Sequence, residues 1–355
     1  MPSFPDLPEL EGIFVFRLPA GLSTKIVPCM VMPGTKLKDQ PMKICTLALA
    51  SLFASQLVHA TTLTENFSTN PVQHGWQIWG NPDLFRWDAN QPNLEVTWDS
   101  TQPNSYFYHP LGTVLTTNDD FSLAFDLQLA DATASGFFEL AVGFLNIRSA
   151  TNANFARGTG TDSPNLAEFN FFPDTGWGPT LSATVTDTNS TFNFLEDFSG
   201  LDNGVTYHIA LQHAAGAATV SAQVFSGGKL YSTLPVPYLS TNFLDFRLDT
   251  IAVSSYTATN DPWGDALLAH GTVANLSVTL PPPPVQNLSG QFLSGQWQVQ
   301  FLSRAHWQYA LERSTNLRQW TTVAEGIAGN DTNAIAADPA PLAGNCFYRV
   351  RADRP

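Results

Sequence analysis

Lysine all but disappears from this chain after its first 43 residues: Lys229 is the only one beyond Lys43. Between Thr61 and Leu280 there are 21 acidic residues against 5 basic ones, a net of −16. From Pro281 onward the count is 5 against 6, a net of +1. A cation-poor, acidic surface repels phosphate backbones and anionic headgroups, so nucleic acid and anionic membrane are excluded as partners of the first stretch. Neutral sugars, cations and small soluble molecules remain compatible with it. Cysteine is also scarce, at Cys29, Cys45 and Cys346. Cleavage after Ala60 would leave Cys346 alone and exclude an intramolecular disulfide; in NCFYRVR it reads as a small buried apolar residue. The sequence has no G-x-S-x-G, C-x-x-C or P-loop, and its seven histidines form no H-E-x-x-H. His208 and His213 flank a strand and read as structural. The longest apolar run, Ile44–Val58, has 15 residues, short of the roughly 18 that span a bilayer, so no transmembrane anchor is expected. Nor does any segment after Thr61 sustain a 3.6-residue period, which excludes a helical architecture.

The N-terminal 60 residues read as a leader. Lys43, the apolar run and the small-residue site Val58-His59-Ala60 have the three parts of a secretory signal peptide. The expected localisation is therefore secreted: extracellular, cell surface or periplasm. Residues 1–41 carry four prolines in their first 20 positions and no periodicity, and translation is expected to begin at Met42.

What the chain does contain is alternation. In DFSLAFDLQLADATASGFFELAVGFLN, Asp120–Asn146, the residues Phe121, Leu123, Phe125, Leu127 and Leu129 alternate with small or polar ones. That is a strand with one buried face. Phe138, Leu140, Val142 and Phe144 repeat the pattern after a break at Thr133–Gly136. Short alternating segments separated by Gly, Asn, Asp and Pro continue to TVANLSVTL, roughly a dozen strands in all, which predicts a large β-sandwich or barrel over 61–280. VTYHIALQHAAGAATVSAQVFSGGKLYS reads as consecutive hairpins turning at Ala215-Gly216 and Ser226–Lys229.

These hairpins, with their G-G turn, and a closing strand ahead of a proline run resemble the concanavalin A-like lectin/glucanase, or laminin-G-like, jelly roll. The resemblance implies a carbohydrate surface on the concave sheet. The densest candidate there is NLAEFNFFPDTGWG. Ala167, Phe169 and Phe171 take the core face, which points Glu168 and Asn170 the other way, with Asp174–Trp177 forming a turn tipped by an aromatic. Glu168, Asn170, Asp174 and Trp177 are the expected ligand-binding residues, with Glu168→Gln then nearly neutral for stability. Glucanases of this fold carry E-x-D-x-(x)-E; here Glu168 is kept, Asn170 replaces the aspartate and Phe172 stands at one position for the second acid. A second carboxylate would have to come from elsewhere, with Glu139 and Asp174 open as candidates. No catalytic residue is assigned. The expected function is non-catalytic binding of extracellular glycan. The alternatives are a glycoside hydrolase or polysaccharide lyase on the same fold, and a structural or adhesive protein. No cofactor is required, and Asp245, Asp249, Asp261 and Asp265 form an oxygen-rich set that could hold structural calcium.

Pro281–Pro284 reads as a stiff polyproline spacer about 12 Å long. Residues 285–355 resemble the small immunoglobulin- or fibronectin-III-like module at the C-terminus of many secreted bacterial proteins. The resemblance rests on Tyr309, Leu311, Glu312, Ser314, Leu317 and Trp320 and on a closing Phe347-Tyr348-Arg349 strand. It implies a spacer or attachment module without a ligand. No apolar sorting tail follows, so release or non-covalent retention is expected.

Overall fold

The computed structural model of the protein describes residues 60–157, 163–237, 242–259, 264–342 and 346–354. Residues 1–59 of the expected leader, and Asp261 of the acidic set, lie outside them. Two compact units, His59–Pro282 and Pro283–Pro355, divide the described residues.

The first unit is a two-sheet antiparallel sandwich, with strands numbered in chain order. One sheet runs β13 (Lys229–Pro237), β12 (Thr219–Ser226), β11 (Thr206–His213), β6 (Phe121–Ser135), β15 (Ala266–Leu280), β4 (Leu94–Asp99) and β3 (Phe85–Trp87), with β1 (Thr61–Glu65) also on β15. The other runs β10 (Phe192–Asp197), β9 (Thr180–Thr186), β8 (Leu166–Phe172), β7 (Leu140–Leu145), β14 (Leu248–Ser255), β5 (Ser105–Leu115) and β2 (Gln77–Trp79). The predicted hairpins are β11–β12 and β12–β13, and the predicted closing strand is β15, which sits between β6 and β4.

The two alternating strands of Asp120–Asn146 belong to opposite sheets. Residues 136–139 carry the chain from one to the other, so the apolar faces of β6 and β7 meet across the core. Phe121 contacts Phe144 with ring centroids 5.1 Å apart at 78°, and Phe125 contacts Phe169 at 6.2 Å and 65°. Such edge-to-face pairs add about 0.5–1.5 kcal/mol to the burial of each ring. Trp76 and Trp98 are sealed in the same core, whereas Trp79 stacks on Tyr106 at 5.5 Å.

The second unit is a smaller sandwich of two three-stranded sheets. β16 (Gln286–Leu293), β17 (Gln296–Leu302) and β20 (Asn333–Asp338) form one; β19 (Thr321–Ala328), β18 (Gln308–Ser314) and β21 (Phe347–Asp353) form the other. Val285 is buried in its core, and the Tyr309 hydroxyl donates to Pro284 O at 2.7 Å while accepting from Arg304 N at 2.7 Å. The end of the proline run is thus tied to this unit. The motif residues have structural work. Glu312, buried, takes Arg349 at 2.7 Å and Arg351 at 2.8 Å. Arg349 lies 4.2 Å over the Trp320 ring. The Ser314 hydroxyl accepts from the backbone of Asn316 and Leu317.

Candidate functional site

The strand alternation that defines β8 assigns its two faces. Ala167, Phe169 and Phe171 enter the core, so Glu168, Asn170 and Phe172 lie on the opposite face. Register extends that outward face across the sheet. Asn170 sits between Ser182 of β9 and Ala141 of β7, and Ala141 is followed by Ser254 of β14 and Tyr106 of β5. The next row holds Phe194, Thr184, Glu168, Gly143, Ala252 and Tyr108.

The expectation that Glu168 and Asn170 stand open to solvent is overturned. Both are 0% exposed. The reason is tertiary. After β7 the chain makes a single helical turn, α1 (Ile147–Ala150), and folds back over the outward face. Tyr106 donates its hydroxyl to Ala150 O at 3.0 Å, and Asn104 donates to Phe155 O at 3.3 Å. The Phe155 ring stacks on Tyr256 at 6.0 Å. This segment delivers Arg157, whose guanidinium lies 5.5 Å over the Tyr256 ring.

Arg157 is the centre of a buried ionic cluster. Its Nη2 lies 3.1 Å from Glu139 Oε1 and its Nε 3.4 Å from Glu168 Oε2. Tyr256 donates its hydroxyl to the other oxygen of Glu168. Burial, reinforced by the charge of Glu168 and opposed by Arg157, pushes the Tyr256 phenol well above its ordinary range, and Tyr106 is raised in the same way. Tyr256 therefore stays a donor into the cluster at neutral pH. Gly143, the β7 partner of Glu168, makes the packing fit: a Cβ there would lie 2.5 Å from Ala167 O and 2.5 Å from Glu168 Cα.

The structure thus brings Glu139 to Glu168, through an arginine that no local motif announces. It does not make them a working pair of acids. A general acid or nucleophile must reach the substrate, and with 1% and 0% exposure these two reach only the protein. Asn170 is equally buried, and neither its amide oxygen nor its nitrogen has a hydrogen-bond partner among the described residues; the same holds for the hydroxyls of Thr180 and Ser254.

Trp177 and Asp174 behave differently. Asp174 Oδ1 accepts from Gly176 N at 2.8 Å and the Thr175 hydroxyl donates to Gly178 O at 2.8 Å. Gly176 and Gly178 both take positive φ, 79° and 112°, which glycine adopts without steric cost. The tight turn throws Trp177 into solvent, 83% exposed. Asp174 is a brace of that turn.

Trp177 has company that the sequence reading overlooked. On edge strand β10, Phe192 and Phe194 pair with Thr186 and Thr184 and so share the outward face. Their rings stack at 4.9 Å and 26°, and they are 40% and 47% exposed. Asp197 pairs with Leu181, which puts the next residue, Phe198, at the Trp177 end of β9 and β10; it is 68% exposed. Glu196 shares the face between Phe194 and Phe198, and partial burial raises its carboxyl above the ordinary value. An F-x-F pattern reads as core by periodicity. It lies outside here because β10 is the sheet edge and no third layer covers its outward face among the described residues.

The acidic set separates. Asp249 accepts from Ile147 N at 2.9 Å and from the Asn146 amide at 3.0 Å, while Asp245 accepts from Thr117 N at 2.9 Å and pairs with Arg247. Burial raises the Asp249 carboxyl above its usual range, against the hydrogen bonds that lower it. No group of three or more His, Cys, Asp or Glu side chains converges among the described residues.

No protein-family model matches the sequence, and no curated protein matches it. Solved structures similar to the chain include the winged bean acidic lectin complexed with methyl-α-D-galactose (11% identity, 62% of this chain, 99% of that one, TM-score 0.43). Lectin II from Ulex europaeus is similar at 12% identity over 63% of this chain and 98% of that one, TM-score 0.42. So is an alginate lyase in complex with an alginate tetrasaccharide, at 14% identity over 61% and 96%, TM-score 0.35. At such identities and TM-scores the likeness assigns neither a family nor a role to this chain.

Proposed function

We propose that the protein is a secreted, non-catalytic binder of extracellular glycan, and that the aromatic ledge of Trp177, Phe192, Phe194 and Phe198 is its contact surface. The observation that carries this reading is the division of labour on one sheet: the carboxylates are locked on Arg157 beneath the surface, while four aromatic rings stay in solvent. Aromatic faces stack on the C–H faces of sugar rings, and exposed rings at a sheet edge have no packing role to explain them. No cofactor is needed for stacking. The second unit serves as the immunoglobulin-like spacer that its motif resembles.

The test is glycan-array binding of the full chain and of Trp177→Ala and Phe194→Ala. Each variant should keep stability within about 0.5 kcal/mol. Each should weaken binding by about fivefold or more, the equivalent of ~1 kcal/mol. Unchanged affinity in the doubly substituted protein would remove the ledge from the reading, and release of new reducing ends or unsaturated uronates would replace binding by catalysis.

A further inference from the structure

Charge placement on the first unit selects among glycans, and this step rests on the glycan-binding reading above. Five cationic residues serve Thr61–Leu280, and all five lie in the described residues. Arg157 is 4% exposed, between Glu139 and Glu168. Arg247 pairs with Asp245, and Arg86 with Glu95, the latter on the other sheet. Lys229 opens β13, the edge strand of the other sheet, which meets the β10 end where Tyr231 donates to Gly200 O and Ser232 donates to Asp197, so this lysine stands beside a carboxylate of the same edge. Arg148 is exposed on α1, which follows Leu145 at the end of β7. Register aligns Leu145 with Phe192 three strands away, about 14 Å at the usual strand spacing. The strand end from which α1 departs is thus three strands away from Phe192.

The ledge itself offers anions the wrong sign. Glu196 shares its outward face, two residues from Phe194 and two from Phe198, and Asp174 braces the turn that holds Trp177. A carboxylate or sulfate on a docked sugar would meet Glu196 at same-face spacing, roughly 6–7 Å. Like charges at that distance in a water-like dielectric disfavour the complex by on the order of threefold per anionic group, before repulsion from the remaining acids is added. Recognition of an anionic glycan works the other way, through Arg or Lys forks on the anionic group, and no Arg or Lys stands among the ledge residues Trp177, Phe192, Phe194, Glu196 and Phe198.

We infer that the glycan bound by the Trp177–Phe198 ledge is neutral, and that polyuronates and sulfated glycans are rejected by charge. The same placement separates this surface from uronate-processing chemistry, which must hold and neutralise a sugar carboxylate beside the reacting carbon.

Calorimetric titration of the full chain with size-matched neutral glucan and galactan oligosaccharides and with alginate oligosaccharides, at low and at physiological salt, tests this directly. Binding of at least one neutral series is expected, with alginate at least threefold weaker. That gap should widen at low salt and narrow in Glu196→Gln. Alginate bound as tightly as or more tightly than every neutral series, with loss in Phe194→Ala, would overturn the neutral assignment and leave the glycan reading standing. Absence of binding to both series and to a broad array would overturn the glycan reading and this inference with it.

Discussion

Replacing Arg157 by methionine is the sharpest test of the buried cluster. The substitution keeps an unbranched side chain of similar reach and removes the charge. Glu139 and Glu168, at 3.1 Å and 3.4 Å from the guanidinium, would then lie in the interior without it. Removing one partner of a buried ion pair costs about 3–5 kcal/mol, because the charge left behind has lost its solvation and its counterion. For a unit of this size, 1 kcal/mol corresponds to about 2–4 °C, so the melting temperature should fall by roughly 6–20 °C. Glu168→Gln should cost less, about 1–3 kcal/mol, since the amide oxygen still accepts from Tyr256 and Glu139 still holds the arginine. Adding Glu168→Gln to Arg157→Met should recover part of the loss, the signature of coupling between the sites. Scanning calorimetry of the full chain reads all three. A melting temperature of Arg157→Met within about 1 °C of the parent would refute the cluster as a structural element. A neutral Glu168→Gln would restore the picture of Glu168 as an open surface residue.

Other outcomes follow from the same geometry. Tyr106 and Tyr256 have folded-state values above the ordinary 10.0, chiefly through burial; the unfolded chain therefore releases these protons first. Stability should hold below about pH 10 and fall above it at up to about 1.4 kcal/mol per pH unit for each phenol, measured by denaturant titration; a flat profile to pH 11.5 would contradict their burial. Gly143→Ala drives a Cβ to 2.5 Å from backbone atoms of β8 and should cost about 1–3 kcal/mol by overpacking, read from urea midpoints. Glu312→Gln leaves Arg349 and Arg351 without their shared carboxylate and should lower stability of the second unit by about 3–5 kcal/mol, seen as early loss of amide protection confined to 283–355.

By itself the sequence determined what short-range chemistry can determine. Strict period-two alternation in Phe121–Leu129 and Phe138–Phe144 meant strands with one apolar face, because only that arrangement buries every second side chain. It also assigned the faces of β8 correctly, since Phe169 and Phe171 can be buried together only if Glu168 and Asn170 turn away. Asp174–Trp177 read as a turn because Pro173 ends the strand before it and Gly176 allows positive φ. What lies above an outward face is another matter. Glu168 is 25 residues from its neighbour Gly143 in register and 88 from Tyr256, and no local pattern reports that a loop after β7 returns with Arg157 to close over it. Burial is decided by which segments stack, a sum over long-range contacts, so tertiary structure alone turned the expected sugar ligands into an internal ion cluster. The same layering worked in reverse for Phe192 and Phe194: periodicity marks them as core, and their place on an edge strand, with no layer above it among the described residues, leaves them in water.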